Sequence, residues 1–222
     1  MEPSHGIGPR PPNKLRRSLR TAWIVLLLGW QPLLPVVAQT LADTIIFANR
    51  DINAMWARKF RIFQGDWIPP RSYIYNGAIQ TPCGVMRSGN AQYCPRNHSI
   101  YLNQTFVSRV NQRVGDFAAV TVLAHEYGHA VQHLLGLSQF NDYPVQDELQ
   151  ADCLAGVYAQ DAMSRGLLDA SDIPEATTQS YLSGDPIFHP DSHGTPRQRV
   201  SAFRLGYLKG LQSCFRYSNS SR

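Results

Sequence analysis

Charge is scarce in this chain of 222 residues, with 21 Lys and Arg, 16 Asp and Glu, and 17% charged residues in all. The first twenty residues hold Arg10, Lys14, Arg16, Arg17 and Arg20 against Glu2 alone. They account for +4 of the formal +5, and only +1 is left for the rest. A near-neutral body has no electrostatic footprint for nucleic acid, so that class of partner is set aside. Internal repeats and low-complexity tracts are missing from the body, which excludes a solenoid or a disordered linker protein. There are only four cysteines, at positions 83, 94, 153 and 214, and no pair has C-x-x-C spacing, so a structural zinc held by thiolates is excluded.

Long apolar runs are also missing, with one exception. Residues 23–30 read WIVLLLGW and continue, broken by Gln31, Pro32 and Pro35, to Val36-Val37-Ala38. A basic flank, an apolar middle and small residues at the end form a secretory signal with cleavage after Ala38; an uncleaved membrane anchor over 23–38 is the alternative. This divides the chain into a basic, Pro-rich tail plus leader over 1–38 and a single domain over 39–222. The domain is expected to be exported, periplasmic or extracellular. Cysteines suit that compartment. Cys83 and Cys94 flank a turn-like stretch and can close a small bridge, which leaves Cys153 and Cys214, although four cysteines allow three connectivities.

What the body does contain is one long helical stretch, residues 116–136, with Asp116 as a cap and Gly136 in the position that ends helices. Phe117, Val120, Leu123, Val131 and Leu135 give it an apolar stripe. Inside it stands His125-Glu126-Tyr127-Gly128-His129. One turn separates the two histidines, so both imidazoles face the same way and can share a metal ion. Glu126 follows directly and reaches a water there. Two neutral imidazoles, an oxygen ligand from elsewhere and an open position suit Zn2+, which acidifies a water whose proton the glutamate takes during attack on a carbonyl.

The oxygen ligand is expected eighteen residues on. Residues 144–165 read as a second helix carrying Glu148-Leu149-Gln150-Ala151-Asp152. Glu148 and Asp152 share a face. Glu148 is the third ligand, and Asp152 is the acceptor that fixes an imidazole tautomer. His133, two turns beyond His125, is too far away to join the same ion and reads as a surface or supporting residue. His98 reads as an exposed loop histidine.

Elsewhere, residues 41–63 read as a core helix. Residues 71–76 and Ser99–Asn103 read as strands, the latter as an edge on which a substrate peptide could lie by strand addition. Residues 105–114 and 172–182 read as short helices. A last helix begins at Thr195-Pro196, a good N-cap and N1 pair. His193 stands on the loop just before it.

HEYGH, ELQAD and the His193-to-Arg199 segment HGTPRQR, taken with TPCG, YCP, IYLN and the residues around them, resemble the bacterial "putative neutral zinc metallopeptidase" family from about residue 41 to 214. The resemblance implies an α+β, zincin-like fold of gluzincin type, mostly helical, with a small sheet before the H-E-x-x-H helix. It implies His125, His129 and Glu148 as zinc ligands, Glu126 as base, and Asp152 supporting an imidazole, that of His125 first; peptide or protein substrates are the expectation from the carbonyl chemistry of the site. His193 and Arg199 match a histidine–arginine pair whose histidine assists the transition state in membrane-associated relatives. Arg199 is the reserve for that role or for holding His193. A zinc-bearing binding or scaffold protein with little turnover is the reading from another class, and the intact Glu126 favours the enzyme.

Overall fold

The computed structural model describes residues 40–220, with side chains to residue 215; the leader or anchor expected over residues 1–38 lies outside the described residues. The chain is mostly helical with a small sheet, an α+β arrangement. Its elements are α1 (Leu41–Ile62), β1 (Arg71–Tyr75), β2 (Ile79–Thr81), β3 (Gly84–Met86), β4 (Ala91–Cys94), β5 (Ser99–Asn103), α2 (Gln104–Arg113), α3 (Asp116–Leu135), α4 (Pro144–Ser164), α5 (Asp172–Leu182), α6 (Pro196–Lys209) and α7 (Leu211–Ser220). Among the described residues no helix is long and apolar enough to cross a membrane.

The central element is α3. Its burial is not confined to a stripe: residues 117–124 are buried on every face, because α1, α2, α4 and α5 all pack around it. Asp116 is not its cap. Gly115 holds the N-cap position, and the Glu175 carboxylate accepts from the Phe117 N–H at 3.0 Å instead. Gly136 ends the helix in the left-handed region, with φ 62°, where a Cβ is costly.

The two unspecified positions of the H-E-x-x-H are used for packing. Tyr127 is fully buried, and its hydroxyl donates to Asn49 Oδ1 of α1 at 2.7 Å and accepts from Asn53 Nδ2 at 2.6 Å. Gly128 faces α4, where a Cβ would stand 2.8 Å from the Ala151 carbonyl oxygen. Only a residue without a side chain lets α4 come this close, and that approach brings Glu148 to the histidines. On the other face of α4, Gly156 and Gly206 serve the same purpose, since a Cβ on either would collide with the backbone of the opposite helix, α6 or α4.

Two corrections concern the sheet. Its order is β1–β5–β4, with β1 parallel and β4 antiparallel to β5, so Ser99–Asn103 is the buried centre and not an edge. The stretch between Cys83 and Cys94 is not simply a turn. It holds β3, paired with β2 in a separate ribbon, and most of β4. The free edge next to α3 therefore belongs to β4. Asn103 donates its N–H to the Asn90 carbonyl, so hydrogen-bonded pairs alternate from there and Ala91 and Tyr93 turn their backbone groups outward. Cysteines pair as Cys83–Cys94 and Cys153–Cys214, and two bridges point to an oxidising compartment.

Candidate metal centre

His125 and His129 sit one turn apart on α3, and Glu148 enters from the first turns of α4. His125 Nε2 lies 3.1 Å from His129 Nε2 and 3.3 Å from Glu148 Oε2, while His129 Nε2 lies 3.6 Å from Glu148 Oε1. A tetrahedral zinc at 2.0–2.1 Å from each donor needs those donors roughly 3.3 Å apart. Three converging donors of the right kind at that spacing fit zinc. The opposite atoms of the two rings are held by different partners. His125 Nδ1 faces Asp152 Oδ1 at 2.9 Å, and His129 Nδ1 faces Gln132 Oε1 at 2.8 Å. Each acceptor keeps the ring proton on Nδ1 and leaves Nε2 bare toward the shared point.

Asp152 is in turn gripped by Arg199, whose Nε and Nη2 donate to its two oxygens at 2.7 and 2.9 Å. Nη1 donates to the Ser183 carbonyl and stands 3.9 Å from Glu148 Oε2. The arginine is 5% exposed, and its donors are taken up by these partners. It does not hold His193. That task falls to Asp185, whose Oδ2 accepts from the His193 backbone N–H at 2.8 Å and lies 3.2 Å from its Nδ1. The His193 side chain is 62% exposed.

Burial works to raise the carboxyls of Glu148 and Asp152, but their partners win. His125, His129 and Arg199 hold Glu148 well below the usual carboxylate range, and Arg199 and His125 do the same for Asp152. Burial would lower His125, yet Asp152 and Glu148 raise it to about 10 while no metal competes for it. Glu126 goes the other way. It is 6% exposed, burial pushes its carboxyl up, and Glu148 adds to the rise against the opposing histidines and the Tyr93 N–H. That amide, on the free edge of β4, donates to Glu126 Oε2 at 2.6 Å. A buried carboxylate with raised proton affinity beside a metal-type donor set is suited to proton transfer.

These groups line a cleft of about 1180 Å³ between β4 and α2 on one side and the end of α5 with the 183–193 loop on the other. His193 reaches it, as does His133. His98 is not a plain exposed loop residue. It is half-buried with φ 49°, and its Nδ1 meets the Tyr93 hydroxyl at 2.6 Å while Nε2 meets the Ile68 carbonyl at 2.7 Å. The carbonyl can only accept, so Nε2 carries the proton and Nδ1 accepts from Tyr93. The same hydroxyl faces His133 Nδ1 at 2.5 Å. His133 therefore donates to Tyr93, and three rings pin β4 onto α3.

Residues 37–216 match the profile of the family described as "Putative neutral zinc metallopeptidase". The chain belongs to that family. Among curated relatives of this zinc metallopeptidase-family chain, the uncharacterized protein YpfJ of Escherichia coli (strain K12) is 32% identical over 182 residues, covering 70% of this chain and 63% of that protein. The uncharacterized protein Rv2575 of Mycobacterium tuberculosis (strain ATCC 25618 / H37Rv) is 29% identical over 199 residues, covering 75% and 67%. The chain thus spans less than two thirds of the Escherichia coli relative. No solved structure matches it.

Reading the sequence missed Tyr93, Gln132 and Asp185. Gln132 left a signal, because it stands three residues after His129 on the same helix and so on the same face. Tyr93 left none, being separated from Glu126 by β5, α2 and the first half of α3. Asp185 lies only eight residues before His193 in the same loop, but an irregular loop has no periodicity from which their contact can be read.

Proposed function

We infer that this chain is a gluzincin-type zinc metallopeptidase, exported behind the leader at residues 1–38, that hydrolyses peptide or protein substrates. The observation that carries the reading is the convergence of His125, His129 and Glu148 beside a Glu126 fixed by the Tyr93 N–H. His125, His129 and Glu148 would hold the ion. When bound, zinc supplies Lewis acidity, making a water acidic and a carbonyl electrophilic.

The rest is work for the protein. An extended peptide lies along the free edge of β4, where Ala91 offers both backbone groups. Glu126 takes a proton from the attacking water as its oxygen bonds to the peptide carbon, then delivers that proton to the departing amine as the C–N bond breaks. His193, aimed by Asp185, donates to the oxygen on which charge develops. Arg199 is a positioning residue that keeps Asp152 charged and directed at His125.

The test is proteome-derived peptide cleavage profiling with zinc-loaded protein, beside Glu126→Gln and His193→Ala. Glu126→Gln retains zinc by elemental analysis and loses kcat by roughly 10²–10⁴-fold; His193→Ala loses about a hundredfold with zinc retained. Unchanged cleavage by zinc-loaded Glu126→Gln removes the mechanism, and unchanged cleavage by His193→Ala removes its role. No cleavage by the parent leaves the binding-protein reading in place.

A further inference from the structure

The cleft is electrically lopsided. Its carboxylates are already engaged: Glu126 with the Tyr93 N–H, Glu148 and Asp152 with the histidines and Arg199, Asp185 with His193, and Asp147 with Asn141 Nδ2 at 2.7 Å. Of the arginines that line it, Arg199 is buried and fully committed. The other two, Arg109 and Arg113, are exposed, and neither has an ion-pair or hydrogen-bond partner among the described residues.

Their setting makes this pairing informative. They lie four apart on α2 and so on one face. The sequence of α2, QTFVSRVNQR, has no acidic residue to relieve them. Like charges at that spacing work slightly against the helix. The cleft lining also includes the apolar side chains of Val110 on α2 and of Val122 on α3, one turn before His125. Two unpaired guanidinium groups on one wall of the cleft recognise a carboxylate, because guanidinium donors match carboxylate oxygens in a bidentate fork.

Resting on the peptidase reading above, we propose that Arg109 and Arg113 select acidic substrates by binding a substrate carboxylate on the α2 side of the scissile bond. The carboxylate is that of an Asp or Glu side chain or of the peptide's own C-terminus.

The test uses the full chain loaded with zinc and end-blocked fluorescent peptides in which Asp or Lys is walked through each position flanking the cleaved bond. Cleavage is read as the Asp/Lys ratio of kcat/KM. Binding to zinc-loaded Glu126→Gln is read in parallel by anisotropy. The parent favours Asp by roughly tenfold on one flank only, through KM, and the preference fades in 0.5 M salt. Arg109→Gln/Arg113→Gln erases it, and Arg109→Glu/Arg113→Glu turns it toward Lys. These exposed helical sites tolerate such changes, and circular dichroism verifies the fold. An acid-free peptide with a free C-terminus, set against its amidated twin, assigns the carboxylate to the chain end if the free form binds better, and to the side chain if the two are equal. Absence of an acid preference in both readouts, or its survival in the charge-reversed variant, overturns the proposal. An acid preference in binding without hydrolysis would sink the peptidase reading and leave Arg109 and Arg113 as a carboxylate-binding pair; hydrolysis with both readouts blind to charge does the opposite.

Discussion

The two histidines of the H-E-x-x-H look equivalent in the sequence and are supported by different physics. His125 leans on an ion pair, Asp152 with Arg199, in which both partners are at most 5% exposed. His129 leans on a chain of neutral amides. Gln132 accepts from its ring and donates to the Asp147 carbonyl and Gln150 Oε1, and Gln150 donates to the carbonyl of Cys214, which is bridged to Cys153. A charged acceptor makes the stronger bond to an imidazole, but a buried charge is safe only while its partner is present. The His125 side should therefore fail abruptly and the His129 side by degrees.

The largest effect is expected on the charged side. Arg199→Met leaves buried Asp152 with the His125 ring as its remaining charged partner and should cost about 3 kcal/mol by chemical denaturation of chelator-stripped protein. Adding Asp152→Asn to it should restore part of that loss, because the buried carboxylate that lost its guanidinium is removed. A double variant less stable than Arg199→Met alone would show that the pair stabilises by more than mutual neutralisation.

A smaller effect is expected on the amide side. Gln132→Ala removes three hydrogen bonds but no charge, at about 1–3 kcal/mol, and should weaken zinc by about tenfold in competition with a chromophoric chelator. Asp152→Asn should weaken zinc by more than Gln132→Ala does. The reverse order would mean that the ion pair is not the principal support of the site.

The smallest effect sharpens the contrast through pH. His125 is raised from an ordinary 6.5 to about 10 by Asp152 and Glu148 in metal-free protein. A raised pKa means stability that is fully present below about pH 6.5 and lost as pH climbs toward 10. Stripped protein should lose several degrees of Tm between pH 7 and pH 10. Zinc-loaded protein should not, since the ion takes the place of that proton. Equal slopes for the two forms would detach His125 from the metal site.

Much of this was legible in the chain itself. HEYGH set its histidines on one helical face, helix starts such as Thr195-Pro196 carried their own caps, and the cysteines left after Cys83 and Cys94 are the two that pair. These features depend on local periodicity and capping, which act within a few residues. The identity of the edge strand was not legible: β4 reads as part of a loop because its pairing with β5 is a tertiary decision, and residues 91–94 are too few to show an alternation. Nor was α7 foreseen.

The sequence alone determined the donor types and their spacing along two helices. Tertiary structure decided which groups support them. Arg199 turned from His193 to Asp152 because α6 lies tight against α4 at Gly156 and Gly206, and Tyr93 came to Glu126 across thirty-three residues of chain. Short-range spacing is fixed by helical geometry, whereas partners brought together by packing depend on the whole core and leave no mark in any single stretch.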